Sequence, residues 1–233
     1  MLSLAVDTST QAGSLAVLRD ERVLGEVSTW TDETYSSRMF RHLDFLLREL
    51  DLKMEQFDLY AVAAGPGSFT GLRVGLTAVK GWAEVYQKPI AAVGALEAVA
   101  AQAQTPVHWL VPVIDARRGQ VFGGIYERSE GRLQLHGDEV VMTPAEFLDH
   151  VRAKLAEEAF AFRSPTPEVI APHITAASFT GKPVETVSTV LAPWIGRLGF
   201  ARAQRGELVD ALHLDAHYIR RSDAELLFKA PRG

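Results

Sequence analysis

The sequence predicts an α/β protein built from two duplicated halves, and three observations carry that prediction. The segment 2–17, LSLAVDTSTQAGSLAV, and the segment 111–126, VPVIDARRGQVFGGIY, follow one pattern: apolar strand, aspartate, short polar turn, glycine, apolar strand. Asp7 corresponds to Asp115 and Gly13 to Gly119, residue types that suit the turn itself. In each half the strands give way to helical periodicity, the alternation that places helices against a sheet. The stretch AQTPVHW, 103–109, is the candidate hinge, dividing the chain into lobes of 1–104 and 105–233.

The elements follow in order. Leu2–Val6 and SLAVL are short apolar strands joined by DTSTQAG, and VLGEVS after the turn RDER is a third. From Tyr35, Met39, Leu43, Leu46, Leu47 and Leu50 recur at helical spacing, with Ser36 or Ser37 as caps. Leu59–Ala64 reads as a buried strand, followed by a glycine loop and a helix to about Tyr86. Pro89–Val93 is a strand and Leu96–Ala103 a helix. In the second half RLQLHGDEVVM is strand-like. Thr143, Pro144 and Glu146 then spell a capping box with proline at the first helical position. Residues 160–187 hold four prolines and give no periodic element. Leu191–Ala203 reads as a helix that packs back near the first lobe, HLDAHYIRR as extended chain, and the last few residues as frayed.

Composition narrows the function. The 233 residues are 47% hydrophobic and 23% charged, with net charge −5, so no basic field argues for a direct grip on nucleic acid. Without cysteine there is no disulfide, thiolate metal site or cysteine nucleophile. No basic leader opens the chain and no apolar run reaches membrane length, so a soluble cytoplasmic protein is expected.

The stretch GPGSFTGLRVG, 65–75, is the strongest motif. It lacks the lysine of a P-loop, and Thr70 stands where a dinucleotide fingerprint has its third glycine. A glycine-rich turn before a helix can hold an anion, or can simply let strand and helix pack closely; the spacing favours packing. Asp7, Thr8, Ser9, Gly65, Gly67, Ser68 and Asp115 are the degenerate phosphate-site candidates. In the following helix Leu72, Leu76, Val79, Ala83 and Tyr86 form one apolar stripe, and Val74, Ala78, Gly81, Trp82 and Val85 another. A helix apolar on two sides must be covered twice. The helix from Tyr35 has the same excess in Phe40 and Phe45. Met39, Phe40, Leu43, Leu76, Val79 and Ala83 are the expected partner-binding residues, although a stripe at this spacing also suits a core. His213 and His217 have metal-like spacing but lie in extended chain, so no metal site is expected. No G-x-S-x-G context supports acyl chemistry, and no catalytic residue is assigned.

Together AVDTST, GPGSFTGLRVG, DARRGQVF and HYIRRSDAE resemble the TsaB (YeaZ) family, the bacterial accessory subunits of tRNA threonylcarbamoyladenosine biosynthesis. The resemblance covers residues 1–126 and 217–225. It implies the actin-like ATPase fold (ASKHA, ribonuclease H-like), with two duplicated α/β lobes. It also implies a non-catalytic scaffold that binds the catalytic paralogue TsaD through its first-lobe helices, joined by the ATPase TsaE. Alone such a chain forms a homodimer, and tRNA is met only indirectly. The paralogue carries a His-x3-His metal pair where this chain aligns Ala95 and Val99, which cannot ligate a metal. The resemblance implies no cofactor held by the chain alone and leaves weak ATP or ADP binding at the partner interface open. The rival readings are an active ATPase or small-molecule kinase using Asp7, the 65–71 loop and Asp115, and a metallopeptidase.

Overall fold

The computed structural model describes residues 1–219 apart from 32, 34, 157, 177, 178, 180, 181 and 183. Most of the motif HYIRRSDAE and the end expected to fray therefore lie outside the described residues.

The first half runs β1 (Leu2–Asp7), β2 (Ser14–Arg19), β3 (Arg22–Ser28), α1 (Tyr35–Glu49), β4 (Leu59–Gly65), α2 (Phe69–Tyr86), β5 (Ile90–Gly94) and α3 (Ala95–Ala101). The second runs β6 (Trp109–Arg117), β7 (Gln120–Gly123), β8 (Tyr126–Ser129), β9 (Arg132–Leu135), β10 (Val140–Met142), α4 (Pro144–Leu155), β11 (Phe160–Ser164), α5 (Ala171–Ala176), β12 (Val184–Thr186) and α6 (Ala192–Arg205). The first sheet has the order β3-β2-β1-β4-β5 and the second β10-β7-β6-β11-β12. In each, an antiparallel meander is continued by two parallel strands, so the halves repeat one topology. The hairpin β8–β9 is the insertion that breaks the symmetry; β8 pairs with the start of β6. The duplication expected from the two hairpins is what the structure shows.

Strand alternation decides which helices cover which face. Leu4 and Val6 of β1, with Tyr60 and Val62 of β4, point into the core under α1 and α2. Ala5, Ala61, Ala63 and Ala91 point the other way, toward α3 and α6. These small residues let α6 approach the sheet closely. A methyl group on Gly199 would sit 2.8 Å from Ala61 Cβ and 3.2 Å from Ala91 Cβ. The second sheet shares the α3 side of that central core through Leu110 and Ile114, and packs Val111, Val113, Phe160 and Phe162 under α4 and α5. The layers are thus helices, sheet, helices, sheet, helices.

Three local readings differ from expectation. Ser36 and Ser37 lie inside α1, which begins at Tyr35, so neither caps it. The segment RLQLHGDEVVM is two strands, because Gly137 has φ +81° and interrupts the run. The unplaced stretch 160–187 contains β11, α5 and β12. The Thr143 capping box forms: its hydroxyl accepts the Glu146 N–H, and the Glu146 carboxylate accepts the Thr143 N–H at 3.0 Å.

Two glycines should respond oppositely to an added side chain. Gly199→Leu overpacks α6 against the first sheet and should lose about 1–3 kcal/mol. Gly81→Ala, in mid-helix with nothing within 4 Å of the new methyl, should gain up to about 1 kcal/mol. Thermal unfolding of both variants checks the pair.

Candidate functional site

The two hairpin turns close on each other in the same way. Asp7 Oδ1 accepts the Ser9 N–H at 2.8 Å and the Ser9 hydroxyl at 2.6 Å. Asp115 Oδ1 accepts the Arg117 N–H at 2.7 Å, the same two-residue step in the second hairpin. Arg117 then reaches across: its Nη2 donates to Gln11 Oε1 of the first turn at 3.0 Å. Arg117 and Arg118 both hold left-handed backbone, φ +61° and +57°, where a side chain is strained. The two turns are therefore tied together rather than held apart.

Asp7, Thr8 and Ser9 are all buried. Burial pushes the Asp7 carboxyl up to about 6, against the opposing hydrogen bonds from Ser9. Its Oδ2 has no hydrogen-bond partner among the described residues. What covers this turn is the start of α2. Ser68, the N-cap, donates its N–H to Ser9 O at 2.8 Å and accepts the Gly71 N–H on its hydroxyl at 3.2 Å. A methyl on Gly67 would collide with Ser9 O, on Gly71 with Thr8 O, and on Gly75 with Thr8 Oγ1. Gly65, at φ +128°, faces the His217 carbonyl, and His217 N–H donates to Ala64 O at 2.7 Å.

A phosphate cradle needs open space over its glycines and backbone donors left for the ligand. Here the chain's own backbone lies against Gly65, Gly67 and Gly71, the Thr8 side chain lies against Gly75, and the Ser68 and Gly71 N–H groups are engaged. The glycines of the loop fit close packing of α2 on the first hairpin turn.

The remaining candidates separate. Ala95 and Val99 are fully buried in the central core. His213 Nδ1 meets Asp210 at 2.7 Å and His217 Nε2 meets Glu139 at 3.2 Å, so the two histidines serve different carboxylates. No cluster of three metal-ligating side chains occurs among the described residues. Glu139 was not marked by any sequence motif. Its side chain is buried, which pushes its carboxyl up, and it accepts from the Tyr126 hydroxyl as well as from His217.

The expected partner surface needs correction. Met39, Leu43, Leu76, Val79 and Ala83 are buried in this chain's own core, because their stripe is the one facing the first sheet. Phe40 stays 56% exposed. Its ring meets Trp82 edge-on at 6.4 Å between centroids, bridging α1 and α2. Val85 is 72% exposed, and Val74, Ala78 and Trp82 are half-buried beside it. The apolar face left uncovered is thus the second stripe of α2 together with Phe40. Its spacing at 74, 78, 81, 82 and 85 was readable; which stripe faced outward was not.

The family model described as TsaD, tRNA N6-adenosine threonylcarbamoyltransferase, matches residues 23–218. The chain is 37% identical to the "tRNA threonylcarbamoyladenosine biosynthesis protein TsaB" of Bacillus subtilis, over 66% of this chain and 67% of that protein. A solved structure described as YeaZ from Pseudomonas aeruginosa superposes with TM-score 0.76 and 27% identity, over 93% of this chain and 99% of that one. A ROK hexokinase structure from Thermus thermophilus, 10% identical, shares the fold with TM-score 0.54 over 88% of this chain and 100% of that one. Among the described residues no helix is long and apolar enough to cross a membrane.

Burial of Asp7 has a consequence that pH reveals. Its folded pKa of about 6 lies above the 3.8 of a free aspartate, so the folded state binds the proton more tightly. This favours folding below about pH 4 and is lost as pH rises through 6. Asp7→Asn should therefore be more stable than wild type at pH 8, by on the order of 2–3 kcal/mol, with the two converging near pH 4. Denaturant unfolding across that range checks it.

Proposed function

The chain belongs to the TsaD/TsaB family of tRNA threonylcarbamoyladenosine biosynthesis, on its TsaB (YeaZ) side, and from that premise we propose that it is the accessory subunit that docks a TsaD-like catalytic chain. The observation that carries the docking is the apolar α1–α2 face, where Phe40 and Val85 stand exposed beside Trp82. Exposed aromatic and aliphatic side chains on a rigid helix pair are what an interface core uses. The same face, being apolar and self-contained, serves a homodimer when the partner is absent. A TsaE-like ATPase joins the pair, and tRNA is contacted through the catalytic chain, in keeping with a net charge of −5.

The chain acts without chemistry of its own. The glycine loop that would hold a nucleotide is filled by Thr8, Ser9 and His217. Ala95 and Val99 offer no ligand to a metal, and both are core residues. The fold shared with sugar kinases is the scaffold, and the first lobe's helices are the working part. Such a subunit is expected in the cytoplasm, where its partners and tRNA are.

Phe40→Asp and Val85→Asp each place a charge where the partner must cover it, and should weaken the complex with a TsaD-like chain about 100-fold or more. Because both positions are exposed, the unfolding midpoint should stay near wild type. Co-purification and sedimentation measure both effects. An intact complex in both variants would remove this face from the interface. Phosphate release from Mg·ATP by the isolated chain would replace the accessory reading with the ATPase one.

A further inference from the structure

On the opposite side of the first sheet from the α1–α2 face, α3, α6 and the β8–β9 hairpin line a half-open cavity of about 400 Å³. Arg128, Arg132, Arg202 and Arg205 line it, with Glu97 and Glu207 between them. The lining therefore has a surplus of two positive charges, in a chain whose net charge is −5. Leu133 and Leu198 supply an apolar wall.

We propose that this cavity binds a small phosphate-bearing molecule. Four arginines converging on one space are the residue type whose planar forks match phosphate oxygens. The forks are fixed in advance. Arg202 Nη2 is held by Glu97 at 2.7 Å, and Arg205 is gripped by Glu207 through Nε at 2.8 Å and Nη2 at 2.7 Å. Arg132 shares Glu207 at 3.3 Å, and Arg128 leans on the carbonyls of Thr105 and Ala103 at 3.3 and 3.5 Å. A guanidinium carries five N–H donors, and among the described residues one nitrogen of Arg132 and two of Arg205 are engaged in these bonds. A ligand meets a preformed array and spends little on ordering it. The size lies within the range of small-molecule sites, and the surplus charge suits a phosphate dianion. The apolar wall takes the organic remainder of the ligand.

The site is distinct from the tied hairpin turns and from the α1–α2 face, so it goes beyond the docking role. It draws on α3 of the first half and on α6 and β9 of the second, and a ligand there would clasp the halves together.

Calorimetric titration of the full chain with ADP and, separately, with pyrophosphate tests the proposal. Saturable one-site binding that weakens with added salt is expected. Arg132→Gln and Arg205→Gln, at the cavity rim, should each weaken it about tenfold or more while unfolding near the wild-type midpoint. Arg117→Gln, in the tied hairpin turns, should leave it unchanged. Tighter binding of ADP than pyrophosphate assigns the apolar wall to the nucleoside, and equal binding assigns recognition to the phosphates; both support the site. No saturable heat from either probe at millimolar concentration overturns it. So does binding that Arg117→Gln abolishes and the two rim variants leave intact.

Discussion

Everything at the front of the first half depends on glycine backbone packing directly against the Thr8–Ser9 turn. The first turns of α2 rest on the Thr8–Ser9 turn through Gly67 and Gly71, which meet its carbonyls, and Gly75, which meets the Thr8 side chain. That contact sets the axis of the helix, because a single added methyl at any of the three must push it away. It also buries Asp7 and engages the Ser68 and Gly71 N–H groups at the helix start, so the contact that aims α2 also closes the Asp7 turn. With α2 fixed, Leu72, Leu76, Val79 and Ala83 have to face the sheet, and Trp82 and Val85 have to face away.

The duplicated topology gives the two halves the same frame and different duties. The aspartates at the hairpins make the same two-residue turn, but Asp7 is sealed and Asp115 is a quarter exposed. The second helix of the first half, α2, has 18 residues, whereas its counterpart α5 has 6. Among the described residues α2 is the longest helix, and its second apolar stripe lies in the first half. The inserted β8–β9 hairpin belongs to the other half, and it lines one side of the arginine-bearing cavity.

How much of this was legible follows from which residues carried it. The hairpin repeat fixed the duplication because turn residues act locally: Asp7, Gly13, Asp115 and Gly119 are needed by their own turns. Helix ends marked by side-chain caps, as at Thr143, were readable for the same reason. The exposed apolar face was not, since two apolar stripes on one helix differ only in what tertiary packing puts against them. Residues 160–187 stayed opaque because their strands hide a charge. Arg163 is fully buried on β11 and answered by Glu185, its registered neighbour on β12, at 2.6 Å. An ion pair of that kind reads as surface in one dimension. The arginine cavity was equally hidden, its members being scattered from 97 to 207 along the chain.

The placement of α6 carries a consequence for how the molecule is made. The alanine face of the first sheet is covered by a helix that ends at Arg205, more than 100 residues after the last strand of that sheet. A chain emerging from the ribosome completes all five strands of the first sheet and α3 while the part of that face that α6 covers is still bare. Small alanine side chains make that waiting surface far less adhesive than leucines would. The close packing that α6 needs and the safety of the unfinished chain are met by the same residues.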